Sequence, residues 1–283
     1  MECKMTSTKK YKIQLAITFW VLLFSPTGYS YEEVLPRYAL IIGNSDYQFA
    51  PLKNPANDAR DMAATLKKLR YKVKLALNQS PEQLRQSVRE FYQSIKEKNA
   101  ISLFYYAGHA IQAENINYLI PVNAQISSYK KMKSQSLSIN DVLYAIKRSS
   151  SHQNILILDA CRNNPFKPVA GSKSRGLNIT DNKLLSVNTG LAPVKAPTGT
   201  LIAYATEPGN TASDGDGKNG AYTSALLRHI GKAETAEALF KEVRKDVLYD
   251  TDNRQTPWEH SSLIEKFYFM PPSNEEIPDI IGF

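Results

Sequence analysis

A mostly parallel α/β sheet with helices on both faces, in one domain, is the fold this sequence predicts, and three observations predict it. Short apolar runs of strand length alternate along the chain with stretches of helical periodicity, a pattern that implies right-handed crossovers between parallel strands. Two of those runs, Ile155 to Leu158 and Leu201 to Ala205, are unbroken, as in strands buried on both faces. The 283 residues are 42% hydrophobic and 22% charged, enough apolar side chain for a sizeable core, which excludes the disordered and fibrous classes.

Each element has its own signal. Ala39 to Ile42 is a buried strand ending in Gly43 and Asn44, and Ala59, Met62, Leu66 and Leu69 then recur on one face of a helix. Val73, Leu75 and Leu77 alternate as a strand. Pro81 opens a helix with the apolar face Leu84, Val88, Phe91 and Ile95, and Ile101 to Tyr106 follows as a third strand. Val142, Leu143 and Ile146 mark a short helix before the strand at Ile155. After the strand ending at Ala205 come a helix from Tyr222 to His229, a longer one carrying Leu239, Phe240, Val243 and Val247, and a last strand near Phe267 to Phe269.

Two segments stand outside this pattern. At the N-terminus Lys4, Lys9, Lys10 and Lys12 precede an apolar run from Ile13 to Phe24, with Gly28 and Ser30 before Tyr31. The run is short for a membrane span and fits a secretory signal at residues 1–30, with an uncleaved membrane anchor as the alternative; cleavage would leave the protein in the periplasm or outside the cell with no stable membrane span. The domain is then 31–283, interrupted by a long Pro- and Gly-rich stretch from Arg162 to Thr198 that reads as a flexible loop. Without the signal the chain keeps 31 basic and 26 acidic residues. That mild excess, with no basic run interleaved with aromatics, argues against a nucleic-acid partner. Cys3 leaves with the signal, so Cys161 remains as a lone thiol in an oxidising compartment.

Ligands of open α/β sheets bind beyond the carboxyl ends of the strands. The third strand is followed by Ala107, Gly108, His109 and Ala110, and the strand at Ile155 by Asp159, Ala160, Cys161 and Arg162. If the two strands are neighbours, a thiol and an imidazole share one crevice. The thiolate is the nucleophile, a free thiol near pKa 8.5 is mostly protonated at neutral pH, and a nearby His can take the proton. His152, His229 and His260 have no comparable partner in the sequence and read as structural or exposed.

Arg37 to Asn44 (RYALIIGN), Asn57-Asp58-Ala59, FYYAGHAIQ from Phe104, YLIPV from Tyr118 and LDACRNNPF from Leu158 resemble the caspase and metacaspase family of cysteine peptidases, in its bacterial branch. A caspase signature has its Cys about 50 residues after the His, and here 52 residues separate His109 from Cys161. The resemblance implies a caspase-like fold, a polypeptide substrate, Cys161 as nucleophile and His109 as acid/base. It also implies an oxyanion hole from the backbone N–H of Cys161 and of the residue after the His. That residue is Ala110 where the family has Gly, which puts the shape of the hole in question. The residue two places before the Cys lines the substrate's P1 pocket in the family. Here it is Asp159, as in metacaspases, which favours Arg or Lys at P1 and allows self-cleavage in the long loop. The reading of another class is a catalytically silent caspase-like scaffold.

Gly215, Gly217 and Gly220 spell a dinucleotide fingerprint, but they start about nine residues after Ala205 and not at the strand end. Asp214 and Asp216 hint at a calcium loop, yet Lys218 and Ala225 occupy places where such a loop needs acidic or amide ligands. A turn bordering the active-site crevice, with Asp214 near the substrate, is the better expectation. The resemblance implies no cofactor beyond the calcium on which some metacaspases depend.

Overall fold

β1 (Arg37–Gly43) lies between β2 (Lys72–Leu77) and β3 (Ile101–Ala113), parallel to both. The computed structural model describes residues 35–161, 191–207 and 217–272; the segment 1–30 falls outside them. β6 (Gln153–Cys161) continues the sheet parallel to β3, β7 (Thr200–Tyr204) is parallel to β6, and β8 (Trp258–Ser261) closes the edge antiparallel to β7. The order is β2-β1-β3-β6-β7-β8.

Alternation along the central strands divides the core. Ala39, Ile41, Leu103, Tyr105, Ile155 and Ile157 face α1 (Pro55–Lys68), α5 (Ala221–His229) and α6 (Ala236–Asp250). Leu40, Ile42, Phe104, Tyr106, Leu156 and Leu158 face α2 (Pro81–Ser94) and α4 (Ile139–Ser149). Helices thus cover both faces, as the unbroken apolar strands require. Each fully buried Leu or Ile contributes about 1.5–3 kcal/mol of transfer free energy. α1 presses close to β1: a Cβ on Gly43 would stand 2.4 Å from the Pro55 carbonyl oxygen and 2.6 Å from Ala59 Cβ. α2 starts at a capping box in which Ser80 and Gln83 satisfy each other's backbone N–H, with Pro81 in the first turn.

The structure corrects three expectations and adds elements to a stretch that the periodicity left unassigned. The third strand does not stop at Tyr106; it runs 13 residues, to Ala113, because its distal half pairs with β4 (Ile116–Leu119). β6 likewise runs through Cys161. The stretch between β4 and α4 also holds α3 (Tyr129–Gln135) and a two-residue strand β5 (Leu137–Ser138), packed around Ile111, Tyr118, Ile120 and Met132. The last strand is Trp258–Ser261 and not Phe267 to Phe269. The two phenylalanines instead stack edge-on in the core, with a single bridge between Tyr268 and Thr235.

Of the long irregular stretch, residues 162–190 lie outside the described residues. Its end is pinned: Leu191 and Ala192 are buried, and the Asn117 side chain on β4 accepts from the Ala192 N–H at 2.6 Å and donates to its carbonyl at 2.8 Å.

Candidate active site

The carboxyl ends of β3 and β6 stand side by side in register, Ala107 with Asp159, Gly108 with Ala160 and His109 with Cys161. Neighbouring strands are about 4.8 Å apart, so the pairing brings the His109 and Cys161 backbones together without any loop in between. Both residues stand within the strands, not beyond them.

His109 is held on all sides. The residue is 5% exposed, and its ring lies 4.4 Å from the Tyr47 ring and stacks on Phe49. Nε2 is 2.7 Å from the carbonyl oxygen of Ala50. A carbonyl only accepts, so Nε2 carries the proton and the neutral imidazole keeps its lone pair on Nδ1. The segment after β1, which carries Tyr47, Phe49 and Ala50, therefore fixes the tautomer as well as the ring. Asp46 and Lys53 belong to the same segment, where Asp46 accepts from the Asn78 side chain.

The backbone at this position is clamped by two tyrosines. Tyr47 Oη accepts from the His109 N–H at 2.9 Å and donates to the Ile120 carbonyl at 2.9 Å, while Tyr106 Oη is 2.9 Å from the carbonyls of His109 and Ile120. Burial first, and then the neighbouring Tyr106, push the Tyr47 hydroxyl well above its ordinary range, so it stays a donor. The clamp fits because residue 108 has no side chain. Gly108 has φ +151°, and a Cβ there would stand 2.6 Å from Tyr47 Oη and 2.9 Å from Tyr106 Oη.

Ala110 does not need glycine. It is a regular, fully buried strand residue, absent from the positive-φ positions among the described residues. The bond from Ile120 N–H to the His109 carbonyl makes Ala110 and Leu119 a pair without mutual hydrogen bonds. The Ala110 N–H therefore faces away from β4, on the side where β6 and Cys161 lie.

Asp159 is half-buried and engaged. Thr223, in the first turn of α5, donates to its Oδ2 at 2.6 Å, and Tyr105 Oη on β3 is 2.6 Å from the Thr223 hydroxyl. Burial first, then the charges of Asp159 and Asp58, push the Tyr105 hydroxyl well above its ordinary range; burial, Asp159 and Glu259 do the same to Tyr222. Asp58, buried on α1, accepts from the Gly220 N–H at 3.0 Å. A second carboxylate thus bears on the same tyrosine as Asp159; the sequence places Asp58 in a family motif without giving it a role at the site.

Asp214 and Asp216 lie outside the described residues, and among the described residues no group of three or more His, Cys, Asp or Glu could hold a metal. Gly220 caps α5. The remaining histidines serve elsewhere: His152 pairs with Glu265, His229 sits between Asp246 and Lys232, and His260 lies on β8 beside Trp258. No helix among the described residues is long and apolar enough to cross a membrane.

A family model, two curated relatives and a solved structure match this chain. The family model described as Peptidase_C14, caspase domain, matches residues 36–268. Mucosa-associated lymphoid tissue lymphoma translocation protein 1 of Homo sapiens is 30% identical over 127 residues, 44% of this chain. Its Mus musculus homolog is 25% identical over 242 residues, 83% of this chain. The chain spans 15% and 27% of the lengths of these two relatives. The crystal structure of caspase-1 from Spodoptera frugiperda is alike in fold, with a TM-score of 0.60 at 16% identity, covering 84% of this chain and 92% of that one.

Proposed function

The chain belongs to the caspase-domain family of peptidases, and from that premise we propose that it is a cysteine endopeptidase in which Cys161 and His109 form the dyad and the cut falls after Arg or Lys. The observation that carries this reading is the register of β3 and β6, which sets His109 against Cys161, together with the Ala50 carbonyl that leaves Nδ1 as the basic nitrogen.

In this mechanism His109 Nδ1 takes the Cys161 proton, and the thiolate adds to the scissile carbonyl carbon, placing the carbonyl electron pair on oxygen. The N–H groups of Ala110 and Cys161 stabilise that oxyanion. Collapse expels the amine, which takes the proton from His109 and leaves a thioester on Cys161. Water, deprotonated by His109, then adds to the thioester; the thiolate leaves, recovers its proton, and the carboxylic product departs. Neither step needs a metal from the residues named. Asp159, with Asp58 beside the same tyrosine, supplies the acidic surface that suits a guanidinium or ammonium at P1. Asp214 is proposed as a further substrate-facing acid. Export, with removal of residues 1–30, is proposed from the basic and apolar order of that segment, and N-terminal sequencing of the mature protein tests it.

The kinetic test is hydrolysis of peptide amides with P1 Arg. Cys161→Ala and His109→Ala are each expected to abolish turnover with unfolding curves intact. A stable Cys161→Ala variant that still turns over overturns the proposal, and a wild-type protein that cuts nothing supports the scaffold reading.

A further inference from the structure

The first turn of α5 touches both carboxylates of the proposed P1 pocket, and one contact is a chain of hydroxyls. Thr223 and Tyr105 are fully buried. Thr223 has a single proton, and it goes to Asp159 Oδ2; its lone pair must then accept the proton of Tyr105 Oη, at 2.6 Å for each bond. The direction is one-way, because a carboxylate only accepts and buried Tyr105 stays protonated.

We infer that Thr223 and Tyr105 are positioning residues for substrate specificity, a relay Tyr105 to Thr223 to Asp159 that holds the carboxylate in one orientation toward a basic P1 side chain. The inference rests on the assignment of Asp159 to the P1 pocket. Two effects follow from one hydrogen-bond chain. Rotation of the carboxylate is stopped, so the entropic cost of ordering it is met before substrate arrives. The donated bond also favours the ionised acid, and the bond Thr223 accepts polarises it further. Asp58 accepts from Gly220 N–H, while Lys218 pairs with Asp61 at 2.7 Å and Asn57 donates to the Lys218 carbonyl at 3.3 Å. The same turn is therefore tied to α1 and presents one acid from α1 and one from β6.

The charge of Asp159 bears on Tyr105 of β3 and Tyr222 of α5; Asp58 on α1 also bears on Tyr105, and Glu259 on β8 and Arg244 on α6 bear on Tyr222. Removing the Thr223 hydroxyl leaves these charges in place, which isolates the relay.

The test compares P1 Arg with P1 citrulline, its neutral isostere, on the full chain. Thr223→Val keeps the side-chain volume and deletes the hydroxyl. It is expected to raise KM for P1 Arg about tenfold with kcat little changed, to lower the Arg-to-citrulline ratio of kcat/KM by the same factor, and to move the acid limb of that profile to higher pH. Thr223→Ser restores all three, and Tyr105→Phe shifts them in the same direction by less. Wild-type values in Thr223→Val, or a failure of Ser to restore them, overturn the relay. A wild-type enzyme indifferent to P1 charge overturns the pocket assignment instead. The relay is then read without turnover, from the titration of Asp159 by carboxyl carbon NMR in the Cys161→Ala protein. A higher midpoint with Thr223→Val supports it, and an unmoved one overturns it.

Discussion

Gly108→Ala is the substitution in which the geometry around His109 makes the sharpest demand. The new methyl would stand 2.6 Å from Tyr47 Oη and 2.9 Å from Tyr106 Oη, on a backbone at φ +151°. Conformations this sparsely populated cost a non-glycine residue roughly 1–3 kcal/mol. Pushing Tyr47 away strands the buried His109 N–H, which adds about 1–3 kcal/mol. The sum of roughly 2–6 kcal/mol is a large part of the ~5–15 kcal/mol that holds a domain together, and lowers Tm by something of the order of 10 °C. Urea unfolding measures it directly. The origin is separated by a cycle with Tyr47→Phe, which removes the nearer clashing oxygen: the double variant should be more stable than the sum of the singles by about 1 kcal/mol or more. Turnover should fall about 10²-fold as well, since a 1 Å displacement of a catalytic group costs that much. A Gly108→Ala protein with wild-type stability refutes the clamp.

Asp159→Asn should lose most of the preference for P1 Arg or Lys over P1 Asp while still reacting with a P1-independent thiol reagent; an unchanged preference shows that this carboxylate does not set the pocket. At the far end of α5, burial raises the Asp246 carboxyl, but hydrogen bonds from His229 and Arg228 outweigh it and hold the group below its ordinary value. A depressed carboxylate adds stability above its unfolded pKa of about 3.9, and that stability disappears as pH falls through the lower folded value. Asp246→Asn should therefore be less stable at pH 7 and lose less on acidification, as read by thermal unfolding from pH 7 to pH 2. Wild-type protein on incubation should cut itself within the Arg162 to Thr198 stretch, after Lys167, Lys173, Arg175, Lys183 or Lys195, while Cys161→Ala stays whole; identical fragments from both point to a contaminating protease.

The sheet was legible because buried parallel strands leave unbroken apolar runs, as at Ile155 to Leu158, and the helices because Ala59, Met62 and Leu66 share one face. The pairing of His109 with Cys161 followed from their strand contexts. The reach of β3 past Tyr106 was not legible, since Gly108 and His109 are poor strand formers held there by partners on β4 and β6. Tyr47 and Thr223 were missed for the same reason. The bonds that give them meaning span 62 and 118 residues, and local pattern carries no trace of contacts at that separation. Ala110 drew attention as a departure from Gly, whereas the position that depends on glycine is Gly108, and only the place of the tyrosine hydroxyls reveals it.

Activation of Cys161 as a nucleophile by His109 is tested most directly by mass mapping after treatment with a peptidyl-Arg chloromethylketone. The expected result is stoichiometric alkylation of Cys161, labelling slowed by orders of magnitude in His109→Ala, and protection by a P1 Arg substrate. Modification at any other residue, or Cys161 labelled at the same rate with and without His109, would contradict it.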